Sequence, residues 1–267
     1  MTTNIPPQDW QDWKDWKDWA DAREAAARAP YGILTLVATS WLTDEQTIEG
    51  LPGLWSPAPD GLIRLKASAA DELVLDGRAV DGVVLLAPDT AASPSVLAHR
   101  DLKLVPILRE GEVAVRIYDP AAPNLRSFDG IDRYAYDETL IVPAAYSPYD
   151  EVRIEAVPNA DGNERDLALT GEVRFSLGDR VHTLAATLDE AGIGVVFGDT
   201  TNGETTFGFR RLTLPAPDAA GATVIDFNRA WLPPCAFSDH FICPLPPVGN
   251  RLAVAIEAGE RKRRVRR

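Results

Sequence analysis

From Gly32 onward the chain is built of short apolar runs broken by glycine, proline and acidic turns. Residues 33–42 are apolar and rich in β-branched side chains, which fits a strand. Shorter strands are predicted at 62–66, 73–75, 80–86 and 102–108, the last ending at the turn Arg109-Glu-Gly-Glu112. Residues 113–118 alternate polar with apolar and stop at Asp119-Pro120. The same pattern predicts strands at 139–145, 151–157, 172–177 and 181–187, with Gly178-Asp-Arg180 as the hairpin turn between the last two. Further strands are expected at 194–197, 205–214, 224–227 and 252–257, with Asp199-Thr-Thr-Asn-Gly203 as a turn.

Ahead of this series the periodicity is different. Trp10, Trp13, Trp16 and Trp19 are three residues apart, and the run 20–29 is rich in Ala, Arg and Glu. A three-residue step drifts by about 60° around a helix, so the four indoles fan over one half of its surface. Such a helix lays its indoles on a sheet, or presents them to a partner or a sugar. Pro30 ends it. One helix followed by about a dozen strands predicts a mainly β protein, an antiparallel barrel or sandwich meander in a single domain. The expected organisation is a Trp-rich helix at 1–30, a β-rich domain at 31–260 and a basic tail at 261–267. The absence of strand–helix alternation excludes Rossmann and P-loop architectures.

Composition narrows the function classes. The chain has 267 residues and a formal charge of −13, although six of its last seven residues are basic. An acidic body of this kind repels nucleic acid and anionic lipid. The basic tail reads as a solvated, frayed terminus. Two cysteines are too few for a disulfide framework, and no apolar run approaches the length of a membrane helix. The N-terminal residues do not resemble an export signal, so the cytoplasm is the expected compartment. The expected partner is a small-molecule ligand or substrate, with no nucleic acid and no membrane.

The stretch Asp226-Phe-Asn-Arg-Ala-Trp-Leu-Pro-Pro-Cys-Ala-Phe237, followed by Cys243-Pro-Leu-Pro-Pro247, Asn250-Arg-Leu252 and Glu257-Ala-Gly-Glu260, resembles the prokaryotic family called domain of unknown function 1684. Other segments fit the same pattern, among them Pro30-Tyr-Gly-Ile-Leu-Thr-Leu36 with Trp41-Leu42 and Gly50, and Arg116-Ile-Tyr-Asp119 with Phe128-Asp-Gly-Ile131. Phe197-Gly-Asp-Thr200 with Gly203, Thr206-Phe-Gly208 and Arg211 also fits. The tryptophan repeat, Leu232, Gly198 and Thr201 depart from the pattern. The resemblance implies one β-rich domain and carries no activity with it.

Candidate chemistry gathers at 226–260. Asp226 and Asn228 leave a strand on one face and Phe227 and Arg229 on the other, if alternation holds. An Asp and an Asn side by side bind a hydroxyl-rich ligand or orient water, and they also cap loops. Asn250 has the same two uses. Arg211 can hold an anionic group or pair with an acid. Glu257 and Glu260 are a carboxylate pair of the sort used in acid–base catalysis. Cys235 can act as a nucleophile if a base lowers its pKa, and Pro233-Pro234 hold its backbone. Cys235, His240 and Cys243 can supply three metal ligands, but their spacing matches no zinc-finger pattern, so buried thiols or a loop-closing disulfide are expected instead. The sequence calls for no metal and no cofactor: G-x-S-x-G, H-E-x-x-H and G-x-G-x-x-G are all absent.

Three readings follow. The first is a hydrolase acting on a small polar molecule where Asp226, Asn228, Arg211 and Glu257 converge, with Cys235 nearby. The second is a non-catalytic barrel that binds a small ligand or carbohydrate. The third is a scaffold that docks on a partner through its Trp-rich helix.

Overall fold

The computed structural model describes residues 7–266, with side chains from Trp13 onward. Helix α1 spans Pro7–Ala27. Beyond it the chain is mainly β and antiparallel throughout, as the alternation predicts. It divides into two compact units: Ala26–Ser127, and Phe128–Arg267 together with the chain up to Ala25.

The unit Ala26–Ser127 begins with β1 (Leu36–Leu42), β2 (Gln46–Ile48), β3 (Leu51–Pro57), β4 (Ile63–Ala67) and β5 (Leu73–Leu75). It continues with β6 (Arg78–Ala79), β7 (Gly82–Leu86), β8 (Leu97–His99), β9 (Leu102–Arg109) and β10 (Glu112–Tyr118). A short helix α2 (Pro123–Ser127) closes it. Its strands form a six-stranded sheet, β1-β10-β9-β8-β5-β6, and a four-stranded sheet, β2-β3-β4-β7. Alternation places Ile63 and Leu65 of β4 and Val113 and Val115 of β10 in one core around the fully buried Trp55. The β9–β10 hairpin closes through Glu110 and Gly111, both at positive φ, as a two-residue turn requires.

The second unit holds β11 (Phe128–Arg133), β12 (Ile141–Pro158), β13 (Glu164–Leu177) and β14 (Arg180–Asp189). β15 (Gly192–Phe197), β16 (Arg210–Leu214), β17 (Ala222–Asp226) and β18 (Glu260–Val265) complete it. Six of these strands form a sheet in the order β16-β15-β14-β13-β12-β17, which curls into a nearly closed barrel. The Thr223 hydroxyl donates to the Pro215 carbonyl (2.9 Å), tying the link between the two edge strands. The interior is filled: Phe175 and Phe197 meet Phe227 edge-on at 5.7 and 6.0 Å, among Val173, Leu184 and Ile193.

Three expectations change here. The strands expected at 139–145 and 151–157 are one strand, β12, because the Ser147–Asp150 stretch is absorbed as a register shift between Pro148 and Arg153. The strand expected at 252–257 does not form. Its backbone groups are met by scattered partners instead: the Leu252 N–H donates to the Gly198 carbonyl (2.8 Å), Arg210 donates to the carbonyls of Ile256 (2.8 Å) and of Ala258 just beyond, and the Asp199 carboxylate lies 3.5 Å from the Ile256 N–H. The basic terminus is not frayed. It forms β18, antiparallel to β11 with Ile131 opposite Arg263, and Arg261 pairs with Asp132 at 3.1 Å.

Helix α1 is held to this unit by polar contacts from one side. Arg23 reaches the buried Glu260 carboxylate with both of its oxygens engaged (3.0 and 2.9 Å). Glu24 accepts from Arg133 (2.9 Å) and from the Ile131 N–H (3.1 Å). The Trp16 indole donates to the Asn228 carbonyl (2.9 Å), with its ring 5.6 Å from that of Tyr136. Trp13, Trp16 and Trp19 are half-buried, and the Trp10 side chain lies outside the described residues.

Candidate functional site

The segment 226–260 packs against the barrel, and polar side chains replace sheet ladders along it. Asp226 ends β17, and its Oδ1 accepts from the Asn228 N–H and side-chain amide (both 2.9 Å), which starts a 3-10 turn over Phe227–Arg229. This turn breaks the alternation, so Arg229 does not point away from Asp226 but returns to it, Nε to Oδ2 at 3.2 Å. Phe227 drops into the core. The Asn228 amide is buried and pairs with both backbone groups of Asp137 (2.9 Å each).

Asn250 does the same work in the barrel wall. Strands β14 and β15 pair from Thr187–Gly194 to Asp189–Gly192, and two steps further along that register Ala185 would face Val196. There the Asn250 side chain intervenes: its oxygen accepts from the Ala185 N–H (2.7 Å), and its nitrogen donates to the carbonyls of Ala185 (2.8 Å) and Val196 (2.9 Å). Asp199 and Arg210 form an ion pair without exposed surface (2.7 Å), and Arg210 lies over the Phe197 ring. Buried charge of this kind is tolerated because the partner charge and the Ile256 and Ala258 carbonyls answer both terminal nitrogens of Arg210.

Two of the clefts on this unit adjoin the segment 226–260. The first, of about 440 Å³, is lined by Asp226, Arg229 and Tyr136, with Asp15 from α1 and Thr213 and Pro215 from the end of β16. It offers two carboxylates, a guanidinium, a phenol and a hydroxyl above an apolar floor that includes Ile141 and Val224. The second, of about 450 Å³, is lined by Cys235, Asp239, Phe207, Phe209 and Leu245.

Behind the second cleft, Cys235 and Cys243 are both buried and both free thiols. They face one another: the hydrogen bond to Cys243, followed by burial and the charge of the Cys243 sulfur, pushes the Cys235 thiol far above its ordinary range. The Arg211 charge acts on both. Its guanidinium stacks over Trp231 (5.2 Å to the ring centroid), where Arg23 also lies (5.1 Å). Burial lowers the Arg211 pKa, and the two thiols oppose that shift.

The five candidate residues therefore fall in different places. Asp226 lines the first cleft, Cys235 the second, and Arg211 sits beside the thiols. Asn228 is buried and bonded to the backbone, while Glu257 is exposed. Glu260, its expected partner, is buried beneath Arg23. His240 is exposed, and no group of three His, Cys, Asp or Glu among the described residues is placed to hold a metal ion. Asp15, Tyr136 and Thr213 were not visible as site residues. The i,i+3 spacing of Asp226 and Arg229 was a usable signal for the pair, had the segment been taken as a turn.

Among the described residues no helix is long and apolar enough to cross a membrane. No curated protein matches the chain. Among solved structures, the chain is similar to an uncharacterized protein from gene locus rrnAC0354 of Haloarcula marismortui, solved by solution NMR. The two share 28% identity over 54% of this chain and 82% of that one, with a TM-score of 0.43. The family described as "Protein of unknown function (DUF1684)" matches residues 126–261, which take in β11 to β17 and the whole segment 226–260, and the chain belongs to that family.

Proposed function

We propose that the protein binds a small, hydroxyl-rich molecule, such as a monosaccharide or a polyol, in the Asp226 cleft. The supporting observation is the cleft's lining: Asp226 and Asp15 as acceptors, Arg229 as donor, Tyr136 and Thr213 able to do either, and apolar side chains beneath. Its volume of about 440 Å³ suits a ligand of that size. The barrel interior is packed with side chains, so binding belongs on this outer cleft rather than in a lumen. The cytoplasm is the compartment assigned with it, where free thiols stay reduced.

The two carboxylates in one cleft favour a second reading, hydrolysis of the bound molecule, in which one acts as acid and the other as base or nucleophile. Docking through the Trp-rich helix fits less well, since Trp16 is already bonded to Asn228.

Saturation-transfer NMR on the full chain with glucose, N-acetylglucosamine, inositol and sorbitol tests the proposal. Binding of at least one, weakened about tenfold by Asp226→Ala, is the expected result. New product signals with p-nitrophenyl glycosides in the same tube favour hydrolysis. No binding at millimolar concentration of any of the four sinks the proposal.

A further inference from the structure

We infer that Cys235 and Cys243 are a redox-active dithiol, which a hydroperoxide converts into a disulfide closing the 235–243 loop. Four observations carry this. The two thiols are in hydrogen-bond contact within the fold, although seven residues separate them in sequence. Each is held by a flanking proline, Pro234 on one side and Pro244 on the other, and the residues between are anchored by the buried Phe237 and Phe241. Cys235 forms part of the wall of a cleft of about 450 Å³, so a small oxidant can reach the sulfur. Arg211 stands beside both sulfurs and makes no ion pair with a carboxylate among the described residues.

The charge balance explains the last point. A buried guanidinium without an acid partner is costly, and the groups that can answer it here are the two sulfurs. The hydrogen bond to Cys243 and burial hold the proton on Cys235. Ionisation of Cys243 places one negative charge on the S–H···S contact, facing Arg211. A thiolate is the reactive form towards peroxide.

The chemistry balances in two steps. Cys235 passes its proton to the Cys243 thiolate across the S–H···S contact, and its sulfur attacks one oxygen of the hydroperoxide. An S–O bond forms, the O–O bond breaks, and the leaving oxygen takes a proton. Cys243, as thiolate, then attacks the sulfenic sulfur. The S–S bond forms, the S–O bond breaks, and hydroxide leaves with the second thiol proton as water. The sulfurs lose two electrons and the peroxide gains them. A dithiol reductant reverses the change by thiol–disulfide exchange.

The test is hydrogen peroxide oxidation of the full chain, followed by alkylation and peptide mapping without reduction. Native protein is expected to lose both alkylatable thiols together and to give a cross-linked 235–243 peptide that dithiothreitol restores. Its rate is expected to be about tenfold above that of the chain unfolded in urea, since the fold supplies both proximity and Arg211. Merely structural thiols behave oppositely and are shielded by folding. In Cys243→Ser, oxidation is expected to stop at a sulfenic acid on Cys235 that dimedone traps. Arg211→Met is expected to slow the native reaction about tenfold at neutral pH and to move its pH midpoint upward, with Arg211→Lys restoring both. The inference is overturned if native thiols survive peroxide that oxidises glutathione, if they react more slowly than in urea, or if one cysteine passes to sulfinic acid without a cross-link. An unchanged rate in Arg211→Met removes Arg211 from the assignment.

Discussion

At the scale of single residues, this protein uses asparagine amides as pieces of backbone. Asn250 stands between Ala185 and Val196 and satisfies three main-chain groups that would otherwise lie unpaired in the barrel wall. Replacing it by alanine leaves an N–H and two carbonyls without partners, and each lost bond in a buried setting costs on the order of 1 kcal/mol or more. Asn250→Ala is therefore expected to lower the unfolding free energy by about 3 kcal/mol in urea denaturation. A loss below about 0.5 kcal/mol would mean that water or a strand shift replaces the amide. The sequence showed Asn228 and Asn250 as residues with two uses, and only the fold decides between them. Arg210 and Arg211 are a similar case. One of two adjacent arginines on a strand must face inward, but nothing local says that the core contains Asp199 to receive it.

At the scale of elements, what was legible is what repeats. Ten of the expected runs appear as strands at nearly their predicted positions, from β4 to β17, because alternation and turn residues are local signals. Some short strands with near neighbours, such as β2, β3 and β8, carry too little alternation to stand out, and other misses are segments whose partner is far away. β18 is a run of arginines and lysine that becomes a strand because β11 offers it an edge and Asp132 a countercharge. The 252–257 segment is apolar enough for a strand, yet Arg210 and Asp199 claim its main chain. Helix α1 was readable as a helix, while its docking was not, since that depends on Glu260 at the opposite end of the chain. Glu260 is wholly buried, and Arg23 gives it two hydrogen bonds. Arg23→Met removes these and strands a charge beneath the helix, with only the Leu232 N–H (2.7 Å) and a longer contact to Arg133 remaining. A destabilisation of about 3 kcal/mol is expected from chemical denaturation, and Arg23→Met with Glu260→Gln should recover part of it. Additive losses in the double variant would show that the two residues do not act as a pair.

At the scale of the whole molecule, the division into two units was not legible in the sequence. The chain changes unit inside α1 and again between Ser127 and Phe128, and neither crossing is the long proline-, glycine- or charge-rich stretch that marks a linker. The candidate site was readable only in part for a related reason: Asp226 was visible, but Asp15 and Tyr136 join its cleft from α1 and from the segment after β11. What the fold does fix is that each unit has its own apolar core, one around Trp55 and the other around Phe175, Phe197 and Phe227, with no residue in common. Cooperativity follows the core, because apolar burial is the main favourable term within each unit. Trp55→Ala removes the largest fully buried side chain and is expected to cost its own unit about 4 kcal/mol. Hydrogen exchange followed by mass spectrometry should then show faster exchange across β3, β4, β9 and β10, with protection kept in β12 to β15. If the barrel strands lose protection to the same extent, the two cores unfold together and the units are one cooperative body despite their separate interiors.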